Sequence, residues 1–176
     1  ARAAENPERL MTNEELYLTA QHIEQYRHAT YLPDPYYLEG LKRDPGDVRI
    51  NTAYGALLMR RGCFDKAEEY LRKALERLTE RNPNPYNSET LYLLGLDLLY
   101  LDREEEAYDF FYKATWSNEQ QELGYYYLAA IDARNGRMAR ALAHIEKSLV
   151  KNAHNVKARG MKAWLLRKLG RGQEAE

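Results

Sequence analysis

The 176 residues carry 26 Lys and Arg against 27 Asp and Glu, a formal net charge of -1. That balance excludes nucleic-acid or membrane-surface binding driven by long-range charge. A single cysteine, Cys63, excludes an internal disulfide framework and a Cys-based zinc cluster, and is compatible with the reducing cytoplasm expected as the compartment. The longest apolar run, near Leu91 to Leu101, is interrupted by Asp97 and is too short to span a bilayer. No secretory apolar segment precedes the first helical stretch. Beginning at Ala1 and ending inside a repeat at Glu176, the chain is expected to be a piece of a longer protein.

Residues 1–13 read as an N-terminal extension. From Glu14 the chain falls into frames of similar pattern. In the first, 14–47, Tyr17 and Ala20 lie on one helix face, and Pro33 interrupts the run. Asp34-Pro35 reads as an N-cap followed by proline at the first helical position, so a short helix is expected from about Pro35 to Arg43. In the frame 48–81, Asp47 is a plausible N-cap, and Gly62 sits where a tight turn needs a residue tolerant of positive φ. Asn82 to Asn87 contains two Asn-Pro dipeptides, which stop a helix and mark an inserted loop that exposes Tyr86. The frame 88–121 repeats the pattern with Leu91, Leu94, Gly95 and Leu98 at i, i+3, i+4 and i+7, one stripe of a 3.6-residue helix. Asp102 is expected to cap its second helix, with Glu104, Glu105 and Glu106 in the first turn, where carboxylates suit the positive end of the dipole. In the frame 122–155, Gly136 marks the turn, and the charged Asp132 at position 11 is expected to weaken the helix contact there. The last frame, 156–176, is truncated. Its Ala163, Leu166 and Leu169 are expected to form an exposed apolar edge at which the isolated chain could dimerise, leaving the oligomeric state open.

Small residues recur at fixed offsets in these frames. Gly55, Ala67 and Ala74 stand at positions 8, 20 and 27 of one; Gly95, Ala107 and Ala114 of the next; Ala129, Ala141 and Ser148 of the third. Small side chains at those offsets let paired helices approach closely, and the 34-residue period resembles the tetratricopeptide repeat. The resemblance implies an all-α fold, a right-handed superhelical solenoid of antiparallel helix pairs in which each first helix lines a concave groove. It covers about Glu14 to the end, with the frame 14–47 as a degenerate cap. One pair cannot bury its apolar stripe alone, so neighbours must stack.

Chemistry has few footholds. His22, His28, His144 and His154 show no metal-ligand spacing, so no metal is expected and they read as surface or interhelix residues. Cys63 has no base suggested beside it and reads as a small packing residue. There is no phosphate loop, nucleophile–base set or glycine-rich fingerprint, so neither catalysis nor a cofactor is expected.

The informative excess is tyrosine, 15 residues. Tyr17, Tyr37, Tyr54 and Tyr125 fall on packing positions. The family's groove positions, carried over residue by residue, are Leu18, His22 and Tyr26 in the first frame, Arg49, Thr52 and Arg60 in the second, and Tyr92, Leu96 and Tyr100 in the third. Tyr126, Ala130 and Arg134 follow in the fourth, and Trp164 and Lys168 in the last. These imply aromatic patches and a basic edge at Arg60, Arg134 and Lys168. Tyrosine suits such a surface because it offers large area, few rotors and a polar tip. The subset of the family that grips chaperone C-termini has Lys and Asn where Thr52 and Ala56 stand here, so that clamp is absent.

A second resemblance rests on His22 to Tyr31, Arg81 to Tyr86 and Ala107 to Ala114. These stretches are similar to the repeat region of large bacterial proteins of uncharacterised function, in which a β-rich domain precedes the repeats. The expectation is therefore a non-catalytic scaffold that binds an extended peptide, a protein or a neighbouring domain of its own parent chain, with no nucleic acid and no membrane. The alternative is an accessory module of a carbohydrate-active multidomain protein, its aromatic residues stacking on sugar rings.

Overall fold

The computed structural model describes residues 4–26, 30–83, 85 and 87–175. The described residues are all-helical, with no strand. They fall into two compact units, 1–83 and 84–176.

The first unit holds α1 (Asn13–Gln25), α2 (Asp34–Arg43), α3 (Val48–Arg60) and α4 (Phe64–Thr79). Thr12 and Glu15 form a capping box at the start of α1, a pairing of side chains and backbone N–H groups that fixes the helix one residue before the expected frame. Asp47 caps α3 as expected, its Oδ1 accepting from Ile50 N at 3.0 Å. Asp34 does not cap α2. Pro33 holds the cap position, Asp34 begins the helix, and its carboxylate instead takes the Arg61 guanidinium through two bonds of 2.5 and 2.9 Å. Pro33 is buried, at the frame position where the repeat usually has alanine. The core runs through Leu16, Ala20, Tyr37, Ile50 and Ala67. Tyr37 is fully buried, yet its hydroxyl is satisfied: it donates to Glu24 Oε1 at 2.5 Å and accepts from Gln21 Nε2 at 2.6 Å.

The second unit holds α5 (Glu89–Tyr100), α6 (Glu104–Ala114), α7 (Gln121–Arg134), α8 (Met138–Lys151) and α9 (Val156–Lys168), followed by a short 3-10 turn, Gly172–Ala175. Residues 84 and 86 of the inserted loop, including the expected exposed Tyr86, lie outside the described residues, as does His28. Ala107, Ala114, Ala129 and Ala141 are fully buried at the crossings. At Gly95 a Cβ would stand 2.8 Å from the Phe111 ring, so the close approach of α5 and α6 depends on its absence.

The register is legible in the backbone as well. Position 15 of four successive frames holds Gly62, Asp102, Gly136 and Gly170, with φ of 76, 60, 75 and 74°. Each reverses the chain between or after helices in the left-handed region. Asp102 is therefore a turn residue, and the expectation that it caps α6 fails; Arg103 precedes that helix, with Glu104, Glu105 and Glu106 in its first turn as expected.

Three further expectations are corrected. Cys63 is exposed, because it lies in the turn between Gly62 and α4 where no second helix crosses it. Leu166 is 1% exposed and Ala163 half-buried, since the turn Gly172–Ala175 folds back on α9; of the expected apolar edge only Leu169 remains exposed. Asp132 does not leave a weak contact. It is a fully buried carboxylate that accepts from Arg137 Nε at 2.6 Å and Tyr108 OH at 3.1 Å and lies 2.8 Å from His144 Nδ1, so α6, α7 and α8 meet on it. A carboxylate can only accept there, so Nδ1 of a neutral His144 carries the proton.

Candidate partner-binding face

The expected groove residues of the first unit stand on α1 and α3. Leu18, His22 and Tyr26, each four residues from the last, form an exposed stripe along α1, and the His22 and Tyr26 rings lie 4.5 Å apart. On α3, Arg49 pairs with Glu14 while its guanidinium sits 5.2 Å over the Tyr17 ring, and Arg60 pairs with Glu24. Thr52 is buried at 6% exposure and belongs to the packing rather than to the surface.

In the second unit the first-helix faces of α5, α7 and α9 enclose a cleft of about 330 Å³. Tyr126, Ala130 and Arg134, one stripe of α7, form its floor and one wall. Leu99 of α5, Leu123, Tyr127 and Ile131 of α7, and Asn155 and Lys157 at the start of α9 complete it. Asn155 is held in place twice: its Oδ1 accepts from Ala158 N at 3.1 Å to cap α9, and its Nδ2 donates to Glu122 Oε1 at 3.0 Å. Arg134, largely exposed, pairs with Glu104 at 3.2 Å. Exposed pairs of this kind contribute about 0–1 kcal/mol, so Arg134 can exchange Glu104 for a partner's carboxylate at little cost.

The tyrosines of this face differ in what they pack against. Tyr92 is half-buried, its ring 6.0 Å from Phe111 and 6.1 Å from Tyr127. Tyr127 stacks on Phe111 at 4.9 Å with planes 9° apart. Burial pushes the Tyr92 hydroxyl well above the ordinary tyrosine range, and its hydrogen bond to Tyr127 adds to the shift. Burial raises Tyr127 as well. Tyr126 stands edge-on to Tyr127, ring centroids 5.4 Å apart, and opens on the cleft. Tyr100 is 66% exposed at the end of α5, and Leu96 is half-buried among the Phe111 cluster. Trp164 is 43% exposed on α9, with the Lys168 ammonium 5.7 Å from its ring. Tyr127, Leu99 and Asn155 were not among the expected groove residues. Tyr127 carried a signal, since three consecutive tyrosines cannot all face the same way on a helix. Asn155 carried one too, an Asn directly before an apolar-periodic run.

His144 is buried beneath Tyr125, the two rings stacked at 5.9 Å, and His22 and His154 are exposed. Among the described residues no group of three His, Cys, Asp or Glu is placed to hold a metal ion, and no helix is long and apolar enough to cross a membrane.

The tetratricopeptide-repeat family model matches residues 48–115. Solved structures share the fold over most of the chain. PilF of Pseudomonas aeruginosa superposes with a TM-score of 0.81 at 18% identity, covering 93% of this chain and 72% of that one. A MamA protein gives 0.75 at 21% identity, covering 93% and 86%. YrrB, described as a tetratricopeptide-repeat protein with an unusual peptide-binding site, gives 0.72 at 16% identity, covering 92% and 79%. Such likenesses establish the fold and leave function to be argued from the site. Residues 48–115 are tetratricopeptide repeats, and the helix pairs on either side of them continue the same all-α architecture.

Proposed function

We propose that this chain is a non-catalytic interaction scaffold whose α5–α7–α9 cleft takes an extended peptide segment of another protein or of a neighbouring domain. The observation that carries the reading is the cleft itself: three first helices converge on a concave surface with an apolar floor and a few polar groups at its rim, the composition expected of a recognition site. Tyr126 supplies a rigid aromatic anchor and Arg134 a charged group that is held only by an exposed pair. YrrB, which shares the fold, is described as having a peptide-binding site, and that supports the same use of this face.

Selection from a displayed random-peptide library, followed by titration of the selected peptides against wild type and Tyr126→Ala, tests it. Micromolar binding weakened by roughly tenfold or more in the variant is expected. Peptides that bind both proteins equally would move the working surface elsewhere. A response to arrayed glycans with none to peptides would favour the sugar-binding reading.

A further inference from the structure

The chain is nearly neutral, but α9 is not. It carries Lys157, Arg159, Lys162, Arg167 and Lys168 and no acidic residue. Among the described residues only Lys162 of these is ion-paired, with Glu146 at 3.0 Å, and that pair lies about 140° around the helix from Lys157. The carboxylate of Glu174 is held by Arg171, at 2.7 Å, in the following turn. Lys157, Trp164 and Lys168 share one face, since steps of seven and eleven residues return within about 20° of the starting direction. Lys157 lines the cleft, Lys168 lies over Trp164, and no carboxylate among the described residues pairs with either. Gly160 lies between them, and a Cβ placed there would meet nothing within 4 Å, so the helix backbone is open to close approach.

We infer that this face of α9 selects acidic segments: the peptide bound in the cleft carries carboxylates that meet Lys157 at one end and Lys168 at the other. The inference rests on the peptide-binding reading above and adds the charge of the partner. The two ammonium-bearing positions are eleven residues apart, about 16 Å along the helix. An extended chain covers that distance in roughly five residues, so acids about five positions apart fit, with an apolar residue between them to lie against Trp164 or Tyr126. Two lysines on one face of the helix are too few to track a nucleic-acid backbone, whereas an apolar floor beside them suits peptide side chains.

The test uses two fluorescein-labelled ten-residue peptides that share one aromatic residue, the first with Asp five positions apart and the second with Asn in those places. Anisotropy is read at low and high salt on wild type, Lys157→Gln/Lys168→Gln and Tyr126→Ala, at a temperature where a cooperative thermal melt shows each to be folded. The acidic peptide should bind wild type roughly tenfold tighter than its amide twin at low salt, with the gap closing at high salt. The gap should vanish in the double Gln variant, while Tyr126→Ala weakens both peptides alike. Equal binding of the two peptides to wild type overturns the acidic selection and leaves the scaffold reading standing. Binding of neither, while library-selected neutral peptides do bind, overturns it as well. Failure of every peptide, selected ones included, removes both readings. A single-stranded oligonucleotide that displaces the acidic peptide and binds more tightly overturns the choice of partner.

Discussion

Two glycines on first helices give opposite expectations for one substitution. Gly95 is at position 8 of its frame and fully enclosed; Gly160 is at position 5 and open. Replacing glycine by alanine inside a helix gains about 0.8–1 kcal/mol of propensity, wherever it is done. At Gly160 nothing opposes that gain, so Gly160→Ala should stabilise by about that amount. At Gly95 the new Cβ would lie 2.8 to 3.0 Å from three ring carbons of Phe111. That ring cannot slide away, because its other side is stacked on Tyr127 at 4.9 Å and its edge meets Tyr92. Overpacking of this kind costs about 1–3 kcal/mol, more than the propensity gain, so Gly95→Ala should be net destabilising by about 1 kcal/mol. Urea denaturation followed by far-UV circular dichroism reads both, as midpoint shifts of opposite sign at an unchanged m-value. A Gly95→Ala midpoint that rises with Gly160→Ala would mean the α5–α6 crossing is looser than 2.8 Å implies, and would refute the packing argument for the small-residue register.

Other outcomes follow from single residues. Asp102→Gly relieves a left-handed backbone that costs an L-residue energy, and should raise stability by about 0.5–1 kcal/mol in the same denaturation assay. Asp132→Ala removes the shared acceptor of Arg137, Tyr108 and His144; Arg137 is 41% exposed and can rehydrate, so the loss should fall near about 2–3 kcal/mol rather than at the upper end for broken buried pairs. Burial holds the His144 imidazole below its ordinary 6.5, outweighing the pull of Asp132, with Arg140 and Lys147 adding to the depression and Tyr108 and Tyr125 packed on the ring. The unfolded chain therefore binds the proton first, so stability should fall as pH drops from about 6.5 toward the folded value, and thermal melts of His144→Gln should lack that part of the slope. Tyr92→Phe keeps the ring contacts with Phe111 and Tyr127 and should leave peptide affinity unchanged in a titration, whereas Tyr126→Ala removes a cleft-lining ring and should lose it.

The helical frames were legible because their signals are local and repeated. Gly62 and Gly136 announced turns, Asp47 announced a cap, and the alanines at positions 20 and 27 announced crossings, each through chemistry that acts within one helix pair. The errors arose where a residue has two local roles and tertiary contacts choose between them. Asp is both a good N-cap and, after glycine and asparagine, a tolerated left-handed residue; at Asp47 the first role holds, at Asp102 the second. Asp34 does neither and pairs with Arg61 from the next repeat, 27 residues on, a contact without local signature. Asp132 has the same character. Nothing in its neighbourhood along the chain announces that Tyr108 and His144 arrive from two other helices to satisfy it. The groove positions were legible as places on a helix, but burial was not: Thr52, Tyr92 and Tyr126 hold the same position in three frames, and only the side chains supplied by the facing helices decide which of them is left for a partner.

That division bears on how the tyrosine excess is to be understood. A tyrosine at a groove position can close the core or offer itself to a ligand, and the two uses have opposite energetic signs for function. Tyr92 gains from Phe111 and Tyr127 what a partner would otherwise supply, so a ligand that drew it out would have to replace two ring contacts and a hydroxyl partner. Tyr126 stands edge-on to Tyr127, whose own ring is fixed by Phe111, and packs against the apolar core of α7, α8 and α9. Its position is therefore set by the core while the part that remains accessible lines the cleft, and burying that part against a partner gains apolar area with little further loss of side-chain freedom. The core tyrosines are thus what make the outer one a rigid anchor. A groove of this design gains affinity from preorganisation, and its specificity then falls to the groups at the rim: Arg134 on α7, and Lys157 and Lys168 on α9, which are exposed, weakly held and of one sign.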